Sequence, residues 1–242
     1  VTELLSGQDL DERQFLYLHL FGAHQPLRPS LQAASDWSLD RSLIAGRGFA
    51  LRDAVHGDET DRYQYGLAYR AVVEDIDRRL GVLLEALEPI RDDALLIITS
   101  DHGEMLGEQE HFGHFEWLYE PLTWVPFVAV GADELPEYFT LSAVPDLITS
   151  TLGVDAEWAV RIDEPGPLVS QREGNLALSE DGRTKGIWDP VEFEEGFVVF
   201  DLLDDPGEER PLDDGSEGVE EARMEWESET PARRLLPVDE NM

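Results

Sequence analysis

Residues 94–104 read Ala-Leu-Leu-Ile-Ile-Thr-Ser-Asp-His-Gly-Glu, ALLIITSDHGE in one-letter code. Ala94 to Thr99 is too short for a helix and apolar along its length, the texture of a central strand buried on both faces of a parallel sheet. Before it, from Arg62 to Leu87, Ala68, Val72, Ile76, Leu80, Leu83, Leu84 and Leu87 recur at helical spacing. Arg70–Glu74, Glu74–Arg78 and Asp75–Arg79 stand ready to pair one turn apart. Pro89 lies just past the end of this helix. Earlier still, Phe15 to Leu20 (FLYLHL) reads as a buried strand that opens into a loop at Gly22-Ala23-His24-Gln25-Pro26. A strand, a long helix and a second strand make a crossover unit, and the expected fold class is α/β.

Working outward, residues 25–60 have no clean period and read as loop with short helical pieces. Val125 to Val130 (VPFVAV) is a third strand, and Ser142 to Leu152 a helix with Ser142 as its N-cap and Pro145 in its first turn. The alternation of helix and strand runs to about residue 155. Beyond it, short runs such as Leu176-Ala177-Leu178 and Phe197-Val198-Val199-Phe200 sit between Gly, Pro and acid clusters, which suits a small antiparallel appendage. The expected division is therefore 1–155 and 156–242. Residues 201–229 hold thirteen acids against Arg210 and Arg223 and read as a solvated or frayed acidic surface.

The 242 residues carry 53 acids against 18 bases, a formal net charge of −35, which excludes nucleic acid as a partner. Lys185 is the one lysine, and the other 17 bases are arginine. At ~1 M salt the screening length falls to ~3 Å, so such a surface suits a cytoplasm or medium of molar salt. The apolar content is that of a folded protein and no run is long enough to span a bilayer. The first residues, Val1-Thr2-Glu3-Leu4-Leu5, show neither a basic segment nor an apolar leader, and a cytoplasmic location is expected. They also lack Met, which suits a piece of a longer chain. The absence of Cys excludes disulfides, thiolate metal sites and a Cys nucleophile from these residues.

All six histidines, His19, His24, His56, His102, His111 and His114, fall in the first 114 residues, so the chemistry belongs to the first part of the chain. In α/β sheets ligands collect beyond the carboxyl ends of strands. His24 follows the first strand and Ser100-Asp101-His102-Gly103-Glu104 the second. Adjacent Asp and His on a tight turn can reach one divalent cation, with Gly103 easing the bend. By spacing alone, such a turn either serves a metal or is simply a turn.

The longer string ITSDHGEMLGEQEHFGH, residues 98–114, followed by Tyr119-Glu120 and Val125-Pro126, resembles the sulfatase family of the alkaline phosphatase superfamily. Four further segments resemble it in the same order: FLYLHLFGAHQP (15–26), YGLAYRAVVEDIDRRLGVLLEAL (65–87), AVPDLITSTLG (143–153) and FDLLDDPGEERPL (200–212). The composition is like that of haloarchaeal proteins. The resemblance implies part of an alkaline-phosphatase-like sandwich with a mostly parallel central sheet, plus a small C-terminal antiparallel α+β subdomain. It implies that Asp101 and His102 are metal ligands, and that His24 and His114 contact the sulfate or the leaving group. The implied metal is one divalent cation, calcium by resemblance, with manganese or zinc open because imidazole is softer than an all-oxygen cage. The implied partner is a small sulfated substrate. His114 stands where many members have lysine. Glu104 fits a structural part, as an acceptor behind the site or a stabiliser of the turn.

The family's nucleophile, a Cys or Ser followed by x-Pro-x-Arg and converted to formylglycine, is not in these residues, nor are its first two metal-binding aspartates. The resemblance thus implies a metal-dependent hydrolase of sulfate esters whose nucleophile-bearing half is absent from this chain, which alone is expected to be inactive. Two other readings stay open. One keeps the fold but acts on a phosphodiester, a phosphonate ester or a phosphoglycerol group; the other is a non-catalytic binding protein derived from the enzyme.

Overall fold

The computed structural model describes residues 15–40, 46, 48–132, 135–154, 156–163, 166–172, 175–193, 196–212 and 216–229. In chain order the helices are α1 (Leu31–Asp36), α2 (Leu51–His56), α3 (Glu59–Leu87), α4 (Glu120–Thr123), α5 (Val144–Thr151) and α6 (Ser216–Glu229). The strands are β1 (Leu96–Thr99), β2 (Met105–Leu106), β3 (Phe112–Gly113), β4 (Phe127–Val130), β5 (Leu168–Arg172), β6 (Asn175–Ser179), β7 (Thr184–Trp188) and β8 (Phe197–Asp201). The chain divides into two compact units, Val1–Ala94 with Leu106–Gly113, and Leu95–Met105 with His114–Met242.

The first unit is built on α3. Its start is fixed by a reciprocal box: Asp58 accepts from the backbone of Thr60 and Asp61 at 2.8 and 3.1 Å, and Asp61 accepts from the backbone of Asp58 at 3.3 Å. Tyr65, Ala68, Ala71 and Val72 form its buried face, and the buried alanines of the neighbouring helices, Ala33, Ala34 and Ala54, leave room for close packing. Phe112 sets its ring edge-on to Tyr65 at 6.4 Å. Of the three anticipated ion pairs Glu74–Arg78 forms, at 2.5 Å. Arg78 also takes Asp75 at 2.6 Å and Asp36 at 3.4 Å.

The stretch Phe15–Leu20 departs from its expected part as a buried strand. It pairs with no strand among the described residues, and Phe15 and Tyr17 are 72% and 74% exposed. Apolar and aromatic composition favours a strand only where a neighbour supplies the hydrogen bonds and covers the side chains.

In the second unit β1 and β4 pair antiparallel, Leu96 opposite Val130 and Thr99 opposite Phe127. Every ladder among the described strands whose register is defined is antiparallel, where a mostly parallel central sheet was expected. Between β1 and β4 the chain runs through a turn, a short hairpin and the single helical turn of α4. No long crossover helix carries it back to start in the same direction. β4 alternates half-buried and exposed residues, unlike a strand covered on both faces.

β5, β6, β7 and β8 make a four-stranded antiparallel meander. β6 is buried at all five positions. Ala177, Ile187 and Phe200 of this sheet pack with Met105, Leu118, Tyr119 and Leu122, and α6 lies over β7, where a side chain at Gly186 would come within 2.3 Å of Val219. The acid-rich stretch 201–229 is therefore not frayed where it is described. Asp205 and Glu208 are buried, as are Val219 and Ala222 of α6, and Trp188 donates to Glu220 at 3.2 Å. Ser142 does not cap α5. A turn of 3-10 helix, Leu141–Ala143, leads into it and the Ser142 hydroxyl pairs with that of Thr140, while Pro145 does occupy the first turn. No described helix is long and apolar enough to cross a membrane.

Candidate active site

The turn after β1 is tied by its own side chains. Ser100 Oγ donates to the His102 carbonyl at 2.6 Å, and the His102 amide donates to Asp101 Oδ1 at 3.1 Å. Gly103 then presses against α4. Its N–H donates to the Leu122 carbonyl at 2.9 Å, and a Cβ on it would stand 1.9 Å from the Pro121 carbonyl oxygen. Close approach, not the bend itself, is what requires glycine here.

His102 places Nδ1 2.8 Å from the Gly103 carbonyl. A carbonyl only accepts, so Nδ1 carries the proton and the neutral ring offers its Nε2 lone pair. That Nε2 lies 3.9 Å from Asp101 Oδ2, and both side chains reach solvent. Two ligands at 2.0–2.6 Å from one cation can stand ~4 Å apart, so the pair fits a divalent ion between its two donor atoms. The described residues hold no group of three or more such side chains.

His114 places Nδ1 2.6 Å from Glu104 Oε2, with the Glu104 side chain 6% and the His114 side chain 21% exposed. The carboxylate fixes the ring and holds a proton on Nδ1. The two imidazoles, His102 and His114, lie 4.5 Å apart at 30°. Arg172, at the end of β5, donates to the His114 carbonyl at 2.6 Å. His24, in the first unit, repeats the local device of His102, with Nδ1 2.8 Å from the Gln25 carbonyl. His19, His56 and His111 also belong to the first unit.

Of the residues expected from sequence, Asp101, His102 and His114 are thus neighbours in one unit, with Glu104 as the acceptor behind His114. Arg172 was missed, for nothing in its local sequence separates it from other exposed arginines. Behind Tyr119-Glu120 lies a second group that the sequence flagged only by rarity, the lone Lys185. Its ammonium is 2.7 Å from Glu120 and 2.9 Å from Glu208. Burial pushes the Tyr119 phenol far above its ordinary value, with the nearby charges of Glu192, Glu208 and Asp189 adding to the shift, so Tyr119 stays a neutral phenol near neutrality.

The Sulfatase family model matches residues 1–154. This chain belongs to the sulfatase family. The low-salt glycan biosynthesis sulfotransferase Agl7 of Haloferax volcanii is 32% identical over 110 residues, covering 38% of this chain and 27% of the relative. Among solved structures, a 2-O GAG sulfatase superposes with TM-score 0.61 at 16% identity, over 96% of this chain and 56% of its own. A protein in complex with its substrate D-glucosamine-2-N,6-O-disulfate superposes with TM-score 0.55 at 18% identity, over 88% and 47%. These likenesses show the alkaline-phosphatase-like α/β fold of sulfatases, and this sulfatase chain spans about half the length of those structures.

Proposed function

We propose that the intact protein hydrolyses sulfate esters of a small sugar-like substrate with one divalent cation, and that this chain supplies half of the site. The observation that carries the reading is the pairing of tautomers on adjacent rings. His102 and His114 each commit Nδ1 to an acceptor within the turn, and their rings lie 4.5 Å apart. Asp101 and His102 are the ligands, for calcium or else manganese or zinc, and the bound ion supplies positive charge that aligns the nucleophile and offsets charge on the sulfuryl oxygens.

His114, with Nδ1–H held by Glu104, donates a proton from Nε2 to the departing oxygen when both its ring nitrogens carry protons. His24 works differently. Its Nδ1 proton is already given to the Gln25 carbonyl, so it binds a non-bridging sulfuryl oxygen only when Nε2 is protonated as well. In the intact protein β1 and β4 form the antiparallel margin of a larger, mostly parallel sheet. A cytoplasmic location is part of the same proposal and rests on the sequence.

The test uses the full-length protein that carries the nucleophile. An alkyl alcohol needs a proton to leave and a nitrophenolate does not, so His114→Ala should slow alkyl or sugar sulfates by ~10²-fold while slowing a nitrophenyl sulfate much less. Equal losses on the two classes would remove His114 from the leaving-group role. The sulfotransferase name of the Haloferax volcanii relative favours a second reading, transfer of the sulfuryl group to a glycan hydroxyl. Release of inorganic sulfate in the presence of acceptor sugar separates hydrolysis from transfer.

A further inference from the structure

The C-terminal DDPGEER segment reaches the DHGE turn through a short chain of bonds. Lys185, on β7, is 4% exposed, and its ammonium lies between Glu120 Oε1 and Glu208 Oε1 at 2.7 and 2.9 Å. Glu208 is 2% exposed, and its other oxygen accepts the backbone N–H of Glu120 at 2.5 Å. Glu120 opens α4, and the next two carbonyls of that helix are the ones that press on and hydrogen-bond to Gly103. Gly103 sits between His102, with its free Nε2, and Glu104, which orients His114.

We propose that Glu208 is a positioning residue for the Asp101–Glu104 turn, holding it through the backbone of α4, with Lys185 as its counter-charge. The inference rests on that turn being the site, but not on which ester is cleaved there. The alternative is that Glu208 only neutralises a buried lysine. The charge count argues against this, because Glu120 already supplies one carboxylate for the one ammonium and Glu208 is a second. Burial accordingly holds the Glu208 carboxyl above its ordinary range, with the Lys185 charge working in the opposite direction. A glutamine would still offer an oxygen to the Glu120 amide, but its NH2 would then face the Lys185 ammonium, so the change is made together with Lys185→Met, which removes that ammonium.

Two variants therefore separate the roles. Glu208→Gln with Lys185→Met keeps the acceptor for the Glu120 N–H and removes both charges, whereas Glu208→Asp keeps the charge and shortens the reach to the Glu120 N–H. The readouts, on the chain as it stands, are native-state exchange of the Gly103 amide and the imidazole nitrogen and proton signals of His114. Val219→Ala, on α6 over Gly186, serves as a variant of the same unit destabilised elsewhere. Positioning predicts that Glu208→Asp lowers Gly103 protection on the order of tenfold or more and shifts the His114 Nδ1 proton, as loss of a hydrogen bond to a charged group requires. Glu208→Gln with Lys185→Met should stay within about threefold of the parent, since the acceptor for the Glu120 N–H is intact. The reverse order, or a loss in Glu208→Asp no larger than in Val219→Ala at matched stability, overturns the proposal.

Discussion

Replacing Gly103 by alanine asks a methyl group to share space with a carbonyl oxygen. The built Cβ lies 1.9 Å from Pro121 O, and ordinary contact begins at 3.4 Å, so turn and helix must separate by about 1.5 Å. No flexible side chain can absorb the movement, because the obstacle is backbone. A shift of that size also breaks the 2.9 Å bond from the Gly103 N–H to Leu122 O. Overpacking of this kind costs ~1–3 kcal/mol and the lost hydrogen bond ~1 kcal/mol more. The melting temperature should fall on the order of 5–10 °C in a chain of this length, followed by calorimetry or urea unfolding. Gly66→Ala and Gly81→Ala in α3 are the matched controls. Neither Cβ meets an atom within 4 Å, so each should raise stability by ~0.5–1 kcal/mol through helix propensity. A Gly103→Ala variant that melts within about 1 °C of the parent, with its amide at position 103 still protected, would show that the turn does not bear on α4 as described.

Two further outcomes are expected. The chain alone should turn over no aryl sulfate above buffer with any added divalent cation, since binding and charge stabilisation have no nucleophile to assist. Activity that survives repurification and is lost in Asp101→Ala would refute this. The melting temperature should rise substantially between about 0.1 M and 2 M salt as the self-repulsion of a −35 charge is screened. A flat response across that range would remove the molar-salt reading.

How far the sequence could be read followed how local the deciding interactions are. The long helix was legible because its periodicity lies within the helix, though its start at Glu59 and its Asp58 cap were not read, and β1 and β4 because short apolar runs end at turn residues. The strand expected at Phe15–Leu20 failed because pairing is decided by neighbours that a local window does not contain. Strand direction is set in the same way, by neighbours: the ladders of defined register among the described strands are antiparallel. Asp101, His102 and His114 were legible through a resemblance, whereas the reason Gly103 must be glycine lies some twenty residues away in α4. The stretch 201–229 misled in the other direction. Its composition is that of a solvated surface, yet Asp205 and Glu208 are buried, because Arg210 N, Glu120 N and Lys185 receive them.

The solitary lysine has a practical corollary. The only side-chain amine among these 242 residues is shut between two carboxylates, so amine-directed reagents meet no reactive side chain on the native surface. Acylation at position 185 then records opening of the sheet that carries it. A lysine-targeting cross-linker or immobilisation resin is left with the α-amino group of the chain on the folded molecule, and any coupling at position 185 selects the fraction that has come apart.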